Sequence, residues 1–164
     1  GLRTGLNANL SYIFSVEHQI SIDYVSIEKF PLNKNEIENL KMKDILPEAQ
    51  YHHFFDQLHN SKWNLIHKVS DFSLHKIKGD FFGMKLGQNF DVLFYDAFGY
   101  LAQSEMWEKK AIEICFNLLK KEGIWVSYCA KGQVRRDLEK VGFSVERLEG
   151  PPGKREMLRA IKLV

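Results

Sequence analysis

One ten-residue stretch, 89–98 with the sequence NFDVLFYDAF, constrains the fold of this chain more than any other. Its centre, residues 92–95, is a short apolar run between Asp91 and Asp96. A run of this length and composition is typical of a buried strand and is too short for a helix. Such continuous hydrophobicity predicts a parallel sheet with helices on both faces. We therefore expect Asp96 at the carboxyl edge of the strand, where open α/β sheets bind ligands, although an aspartate after a strand also commonly begins a turn.

The composition is that of an ordinary globular chain, since 45% of the 164 residues are hydrophobic and 27% are charged. This length predicts a single domain, 1–164. No apolar run approaches the roughly 20 residues of a membrane span, and no signal peptide is visible. Cys115 and Cys129 are expected to be buried free thiols in a reducing cytosol, which predicts a cytoplasmic protein.

Metal ligation is not predicted. The two cysteines have no metal-ligand spacing, and neither do three histidines near the middle of the chain: His52, His53 and His59. We expect these histidines to be surface or packing residues.

Positive charge is concentrated at the C-terminal end. Residues 131–164 hold nine Lys and Arg against five Asp and Glu, whereas the first 130 residues carry a small negative excess. A basic stretch of this kind is compatible with a polyanionic partner, and it is equally compatible with a solvated helix face.

Helices and strands alternate along the chain. Apolar spacing predicts a first helix with Leu6, Leu10, Ile13 and Phe14 on one face and Thr4 as its N-cap. Further helices are predicted over residues 33–43, 47–61, 104–121 (with Ser104 as N-cap) and 131–141. Strands are predicted over residues 20–28, 69–77, 92–95, 124–129, 143–148 and 157–164.

The start of the chain and the ends of two strands offer a nucleoside-binding set. Gly5 opens the first helix, where exposed N–H groups attract negative charge. Glu28 follows 23 residues later at a strand end, a spacing typical of acids that bind ribose hydroxyls, although it also suits a surface or capping Glu. Asp80 ends another strand and could accept a hydrogen bond from a base amine, with Phe81 stacking beside it; the alternatives are a Gly-Asp turn and a core Phe.

The strand–helix alternation, closed by a C-terminal pair of strands without a helix between them, resembles the class I S-adenosylmethionine methyltransferase fold. The resemblance implies an α/β sheet with helices on both faces, with a glycine loop (Gly1, Thr4, Gly5 and Asn7) behind the methionine and ribose. It also implies ribose binding by Glu28 and adenine binding by Asp80. In that fold a central strand leads into the glycine loop, and none precedes Gly1 here, so the domain is expected to be N-terminally incomplete.

Seven segments narrow the resemblance: GLRTGLNA, SIEKFPL, LHKIKGD, DAF with a later EMW, KGQVRRDLEKVGF and GPPGKREML. Together they resemble the tRNA 5-aminomethyl-2-thiouridine methyltransferases, which occur alone as MnmD or as the N-terminal half of bifunctional MnmC. The family's usual loop is GFGTGLN, and this chain departs from it with Arg3 at the third position. The resemblance implies S-adenosylmethionine as cofactor, tRNA as substrate, and an oxidase that acts on the same uridine, either fused or separate.

The implied reaction is attack by a primary amine on the sulfonium methyl group, which requires positioning above all. Asp96 is expected to orient the amine, and Phe98 to pack against the uracil ring. Phosphates of the tRNA are expected to meet a basic set: Lys131, Arg135, Arg136, Lys154 and Arg155. Two other classes are compatible with parts of the sequence, a catalytically inactive module that binds RNA or a protein, and a nicotinamide-dependent oxidoreductase.

Overall fold

The computed structural model describes residues 2–40, 46, 49–87, 90–99, 102–150, 152–153 and 155–164. It forms two compact units, Gly1–Met84 and Lys85–Val164, each with a sheet of its own. The single domain expected from the chain length stays a prediction. No described helix is long and apolar enough to cross a membrane.

The first unit is a three-stranded sheet with helices. Its elements are α1 (Leu6–His18), β1 (Ile22–Glu28), α2 (Lys34–Glu38), α3 (Ala49–Asn60), β2 (Ile66–Val69), β3 (Phe72–Lys78) and a 3-10 helix over Phe81–Gly83. The strand order is β1-β3-β2, in which β1 is parallel and β2 antiparallel to β3. Alternation along β3 turns Phe72, Leu74 and Lys76 inward. The two apolar members of this row pack against Phe54 and Leu58 of α3.

Three predictions for this unit need correction. The strand expected over residues 69–77 begins only at Phe72, because Ser70 adopts a left-handed backbone (φ 53°) and turns the chain between β2 and β3. The helix expected over residues 33–43 begins with a capping box of Asn33 and Glu36, but it ends already at Glu38. Residues 41–43 lie outside the described part. On α1, Ile13 is buried, but Leu10 and Phe14 are half exposed.

The second unit is a four-stranded sheet. Its elements are β4 (Phe90–Phe94), a 3-10 helix over Ser104–Trp107, α4 (Lys109–Leu118), β5 (Leu119–Ser127), α5 (Gly132–Val141), β6 (Phe143–Glu149) and β7 (Glu156–Lys162). The strand order is β4-β5-β7-β6, with β4 parallel to β5 and the other pairs antiparallel. Trp107, Trp125 and Cys115 are fully buried, and both cysteines are free and buried, as predicted.

Two predictions for the second unit are wrong. The helix expected over residues 104–121 is interrupted by the extended backbone of Glu108, which separates the 3-10 helix from α4. It ends at Leu118, because Leu119 already pairs with Phe90 and Glu122 turns the chain with a φ of 64°. The strand at residues 92–95 exists, but it is not fully buried: β4 lies at the edge of its sheet, and Val92 and Phe94 are 44% and 48% exposed.

Candidate cofactor and substrate site

Two acidic residues lie together where parallel strands end. Glu28 ends β1 and pairs in register with Lys78 of β3, and Gly79 N–H donates to the Glu28 carbonyl at 3.0 Å. Asp80 follows directly, and its Oδ2 lies 2.6 Å from Nζ of Lys29, the residue after Glu28. The sheet therefore brings the two acids to one edge, where α/β folds bind ligands.

Glu28 ties the end of β1 to the glycine loop. Its Oε1 accepts from Phe30 N–H at 3.0 Å, and its Oε2 accepts from Arg3 N–H at 3.3 Å. A carboxylate has about four lone-pair sites, so both oxygens keep capacity for further donors such as hydroxyl groups. The Glu28 carboxylate is thus oriented by backbone on one side and able to accept on the other.

The glycine loop closes in a tight turn, with Gly5 N–H donating to Leu2 O at 2.7 Å. Gly5 is the N-cap of α1 and has a φ of 77°, so the expectation that Thr4 would cap the helix is wrong by one residue. A Cβ on Gly5 would lie 2.7 Å from Leu58 Cδ2, so both backbone conformation and space require glycine. Arg3 also adopts a left-handed backbone (φ 44°), a conformation that the family's usual glycine takes without strain.

Asp80 serves as the N-cap of the short 3-10 helix, and its Oδ1 accepts from Phe82 N–H at 3.0 Å. The hydrogen bond from Lys29, with that from Phe82 N–H, lowers the pKa of the Asp80 carboxyl below its ordinary value. Asp80 is therefore an anionic acceptor. Phe81 beside it is half buried, and its ring meets that of Phe82 edge-on at 5.7 Å.

A small pocket of about 20 Å³ lies beside Glu28, with room for about one water molecule. Its lining includes Leu2, Arg3, Glu28, His59 and Lys76. Of these residues, Glu28 is predicted from the sequence as a binding residue and His59 as a surface or packing residue, whereas Lys76 is not predicted. A signal existed for Lys76, since it continues the inward period-2 row of Phe72 and Leu74.

In the second unit, the loop after β4 is held from two sides. Tyr128 O–H donates to Ala97 O at 2.7 Å, and the indole N–H of Trp107 donates to Phe98 O at 2.8 Å. Both aromatic side chains thereby fix the backbone that carries Asp96. Tyr95, at the end of the same strand, donates its hydroxyl to Met106 O.

Asp96 and Phe98 are presented differently by this loop. The Asp96 side chain is half buried, and it makes no hydrogen bond or ion pair with another residue that the structure describes. The Phe98 side chain, two residues further along the chain, is 46% exposed, so part of its aromatic ring is accessible. Because Asp96 belongs to the second unit, its grouping with Glu28 and Asp80 stays a prediction.

The predicted basic set lies at α5 and near β7. Arg135 forms an ion pair with Glu139 at 2.9 Å, and Arg136 donates to the Gln133 side chain at 2.8 Å. Lys131 precedes α5 and is exposed, as is Arg155. Lys154 of this set and Gly1 of the glycine loop lie outside the described residues.

The sheet order and the strand-end acids are those expected of an α/β protein that binds a nucleoside, and the comparison with known families identifies the family. A model of S-adenosyl-L-methionine-dependent methyltransferases matches residues 36–163. The chain belongs to this family. The fold agrees: a solved methyltransferase from Pyrococcus furiosus, 18% identical, superposes with a TM-score of 0.54 over 94% of this chain and 69% of that chain. The predicted class I methyltransferase fold is confirmed.

Within the family, the chain is similar to MnmC proteins, which confirms the resemblance drawn from its sequence motifs. It is 28% identical to the tRNA 5-methylaminomethyl-2-thiouridine biosynthesis bifunctional protein MnmC of Leptospira borgpetersenii, over 96% of this chain and 25% of that protein. The crystal structure of MnmC2 from Aquifex aeolicus is 25% identical, with a TM-score of 0.74 over 98% of this chain and 50% of that chain. The chain thus spans about a quarter of the length of its curated relatives.

Proposed function

We propose that this chain binds S-adenosylmethionine and methylates the primary amine of 5-aminomethyl-2-thiouridine in tRNA. The observation that carries the proposal is the similarity to MnmC proteins over nearly the whole chain, together with the family match. The names of those relatives specify the biosynthesis of 5-methylaminomethyl-2-thiouridine in tRNA. Since tRNA is the substrate, we also propose a cytoplasmic location, and an oxidase acting on the same uridine, fused or separate, as functional partner.

The donors and acceptors of the first unit fit S-adenosylmethionine. Among the described residues, each oxygen of Glu28 accepts one backbone N–H, so the carboxylate can also accept from the two ribose hydroxyls. Asp80 is a second acceptor at the same sheet edge and suits the exocyclic amine of adenine, with Phe81 beside it. Thr4, Gly5 and Asn7 start α1, where backbone N–H groups favour a carboxylate. When bound, the cofactor supplies an electrophilic methyl group on a sulfonium centre.

In this proposal, the second unit orients the substrate amine. The amine attacks only in its neutral form, because a protonated amine has no lone pair. The Asp96 carboxylate accepts hydrogen bonds from the amine N–H groups and so aims the lone pair. The carbonyls of Ala97 and Phe98 already accept from Tyr128 and Trp107, which makes the side chain of Asp96 the better acceptor in this loop.

The test is methyl transfer to aminomethyl-uridine tRNA by the intact protein carrying Asp96→Asn. We expect the rate to fall by roughly 100-fold, because misoriented reactants lose about that factor, while the Kd for S-adenosylmethionine stays unchanged. Asp91→Asn is the matched control: it removes an exposed carboxylate from β4, the strand before Asp96, where Asp91 is paired with Lys120 at 2.8 Å, and it should leave the rate unchanged.

A wild-type rate for Asp96→Asn would remove the assigned role of Asp96. A wild-type protein that binds no S-adenosylmethionine would instead support the inactive, methyltransferase-like module and contradict the proposed function itself.

A further inference from the structure

We propose that His59 and Lys76 are positioning residues. They hold residues 2–5, which belong to the glycine loop, against the end of α3, and thereby set the affinity of the protein for its cofactor. The inference rests on the proposed function for its ligand, S-adenosylmethionine, but its geometry stands without one. Both residues line the pocket beside Glu28.

Lys76 secures the carboxyl end of α3. Its side chain is 1% exposed, and Nζ donates to Leu58 O at 2.6 Å and to His59 O at 3.3 Å. These carbonyls lie in the last turn of the helix, where backbone acceptors lack partners within the helix and a cation is favoured. The ammonium also lies 4.8 Å from the ring centroid of Trp63. Lys76 therefore fixes the backbone of the residue that contacts the loop.

His59 makes that contact. Its Nε2 lies 3.1 Å from Thr4 O, and since a carbonyl only accepts, Nε2 carries a proton. The imidazole packs against Phe55 at 4.5 Å between ring centroids. Burial lowers the pKa of His59, which favours the neutral imidazole, and the Thr4 carbonyl selects the Nε2–H tautomer of that neutral ring.

The loop is thus held on two sides. Arg3 N–H donates to Glu28 at the end of β1, and Thr4 O accepts from His59 of α3. Gly5 sits directly on Leu58, the other residue whose carbonyl Lys76 binds. Without the His59 hydrogen bond, the loop would keep its hydrogen bond to Glu28, the carboxylate that the ribose is proposed to use.

The experiment compares two substitutions at His59 in the intact protein. His59→Gln keeps an N–H donor in a similar position, whereas His59→Leu removes it and keeps an apolar side chain. Lys76→Met removes the ammonium and keeps the stem. His53→Gln, on the exposed face of α3, and Lys68→Met, exposed on β2, are the matched controls.

Two readouts are measured. The first compares the Kd for S-adenosylmethionine with the Kd for tRNA. The second is the hydrogen-exchange rate of the Gly5 and Asn9 amides, which donate to the carbonyls of Leu2 and Gly5. For His59→Leu and Lys76→Met we expect at least a fivefold rise in the cofactor Kd, an unchanged tRNA Kd and at least tenfold faster exchange. His59→Gln should stay within twofold of wild type in both readouts, because the donor is retained.

Equal losses in His59→Gln and His59→Leu would overturn the proposal in favour of simple packing, as would wild-type values in His59→Leu. Nitrogen NMR of the wild-type protein tests it without any variant, since a proton on Nδ1 and none on Nε2 would contradict it. If the wild-type protein binds no S-adenosylmethionine, the proposed function fails, and the exchange rates alone still decide the positioning role.

Discussion

A lysine in the inward row of an apolar strand is an unusual residue, and Lys76 shows how such a charge is tolerated. Burial lowers the pKa of Lys76 from 10.5 to about 8, so the side chain remains mostly protonated at neutral pH. Two carbonyls and the face of Trp63 replace the water that the ammonium loses. Lys76 should therefore contribute to the pH dependence of the stability of the protein.

We predict that the difference in free energy of unfolding between wild type and Lys76→Met rises with pH, by at most about 3 kcal/mol from pH 8 to pH 10.5. The folded pKa lies below the unfolded one, so the unfolded chain binds more protons in this window. The stability contribution is present above pH 10.5, is lost as pH falls to about 8, and is constant below. Urea unfolding at several pH values measures it. Lys68→Met, exposed on the same sheet, should show no such trend; a flat difference for Lys76→Met would show that the lysine is not desolvated.

Among the elements, α5 is the one whose surface charge bears on the proposed substrate. Its buried face consists of Val134 and Leu138, and its outer face carries Arg135 and Arg136. Glu139 and Gln133 already hold these arginines in place along the helix. A phosphate would therefore meet ordered guanidinium groups, although it would compete with Glu139 for one of them.

We predict that Arg135→Ala combined with Arg136→Ala weakens tRNA binding and reduces the slope of log Kd against log salt by about 1 to 2, because up to two phosphate contacts are lost. Binding assays over a range of salt concentrations measure this slope. Lys34→Ala with Lys68→Ala removes two exposed cations from the first unit and should leave the slope unchanged. An unaltered slope in the arginine variant would remove α5 from the proposed tRNA surface.

Elements whose ends are marked by residues in the local sequence could be predicted from the sequence. For α5, the predicted range 131–141 is nearly the observed one, and β6 and β7 followed from short runs between turn residues. The hairpin of β2 and β3 was missed because Ser70 and Asp71 turn within a continuous β-like pattern. The break at Glu108 was missed because an apolar face continues through it. In each case a single residue's backbone angle, which periodicity does not encode, decided the outcome.

The candidate site divides in the same way. Glu28 and Asp80 were predictable because Glu28 ends one strand and Asp80 comes shortly after another, and parallel neighbours bring such residues to one edge. His59 was not predictable, because its partner Thr4 is 55 residues away and is contacted through a backbone carbonyl. Contacts to backbone leave no pattern of side-chain types in a sequence.

For the whole molecule, the question is whether the two compact units unfold together. Each has its own core, and the tryptophans divide between them, with Trp63 in the first unit and Trp107 and Trp125 in the second. The single domain predicted from length and from the family resemblance requires that the two units lose structure in one step.

Two variants separate the fluorescence of the units. In Trp107→Phe, Trp125→Phe only Trp63 reports, and in Trp63→Phe only Trp107 and Trp125 report. In each variant we predict that the urea transition seen by fluorescence coincides with the unfolding of the whole protein. Far-ultraviolet circular dichroism of each variant serves as the internal reference, since both tryptophans of the second unit are buried and their loss shifts the midpoint. A fluorescence midpoint that departs from the circular dichroism midpoint of the same variant would contradict the single domain.

The double anchoring of the loop after β4 has a thermodynamic consequence. Tyr128 and Trp107 immobilise the peptide groups on either side of Phe98 while the chain folds. The entropy of ordering this segment is therefore lost before any nucleotide arrives, and association does not have to supply it. Such preorganisation favours a substrate that fits the existing shape over one that requires the loop to adapt.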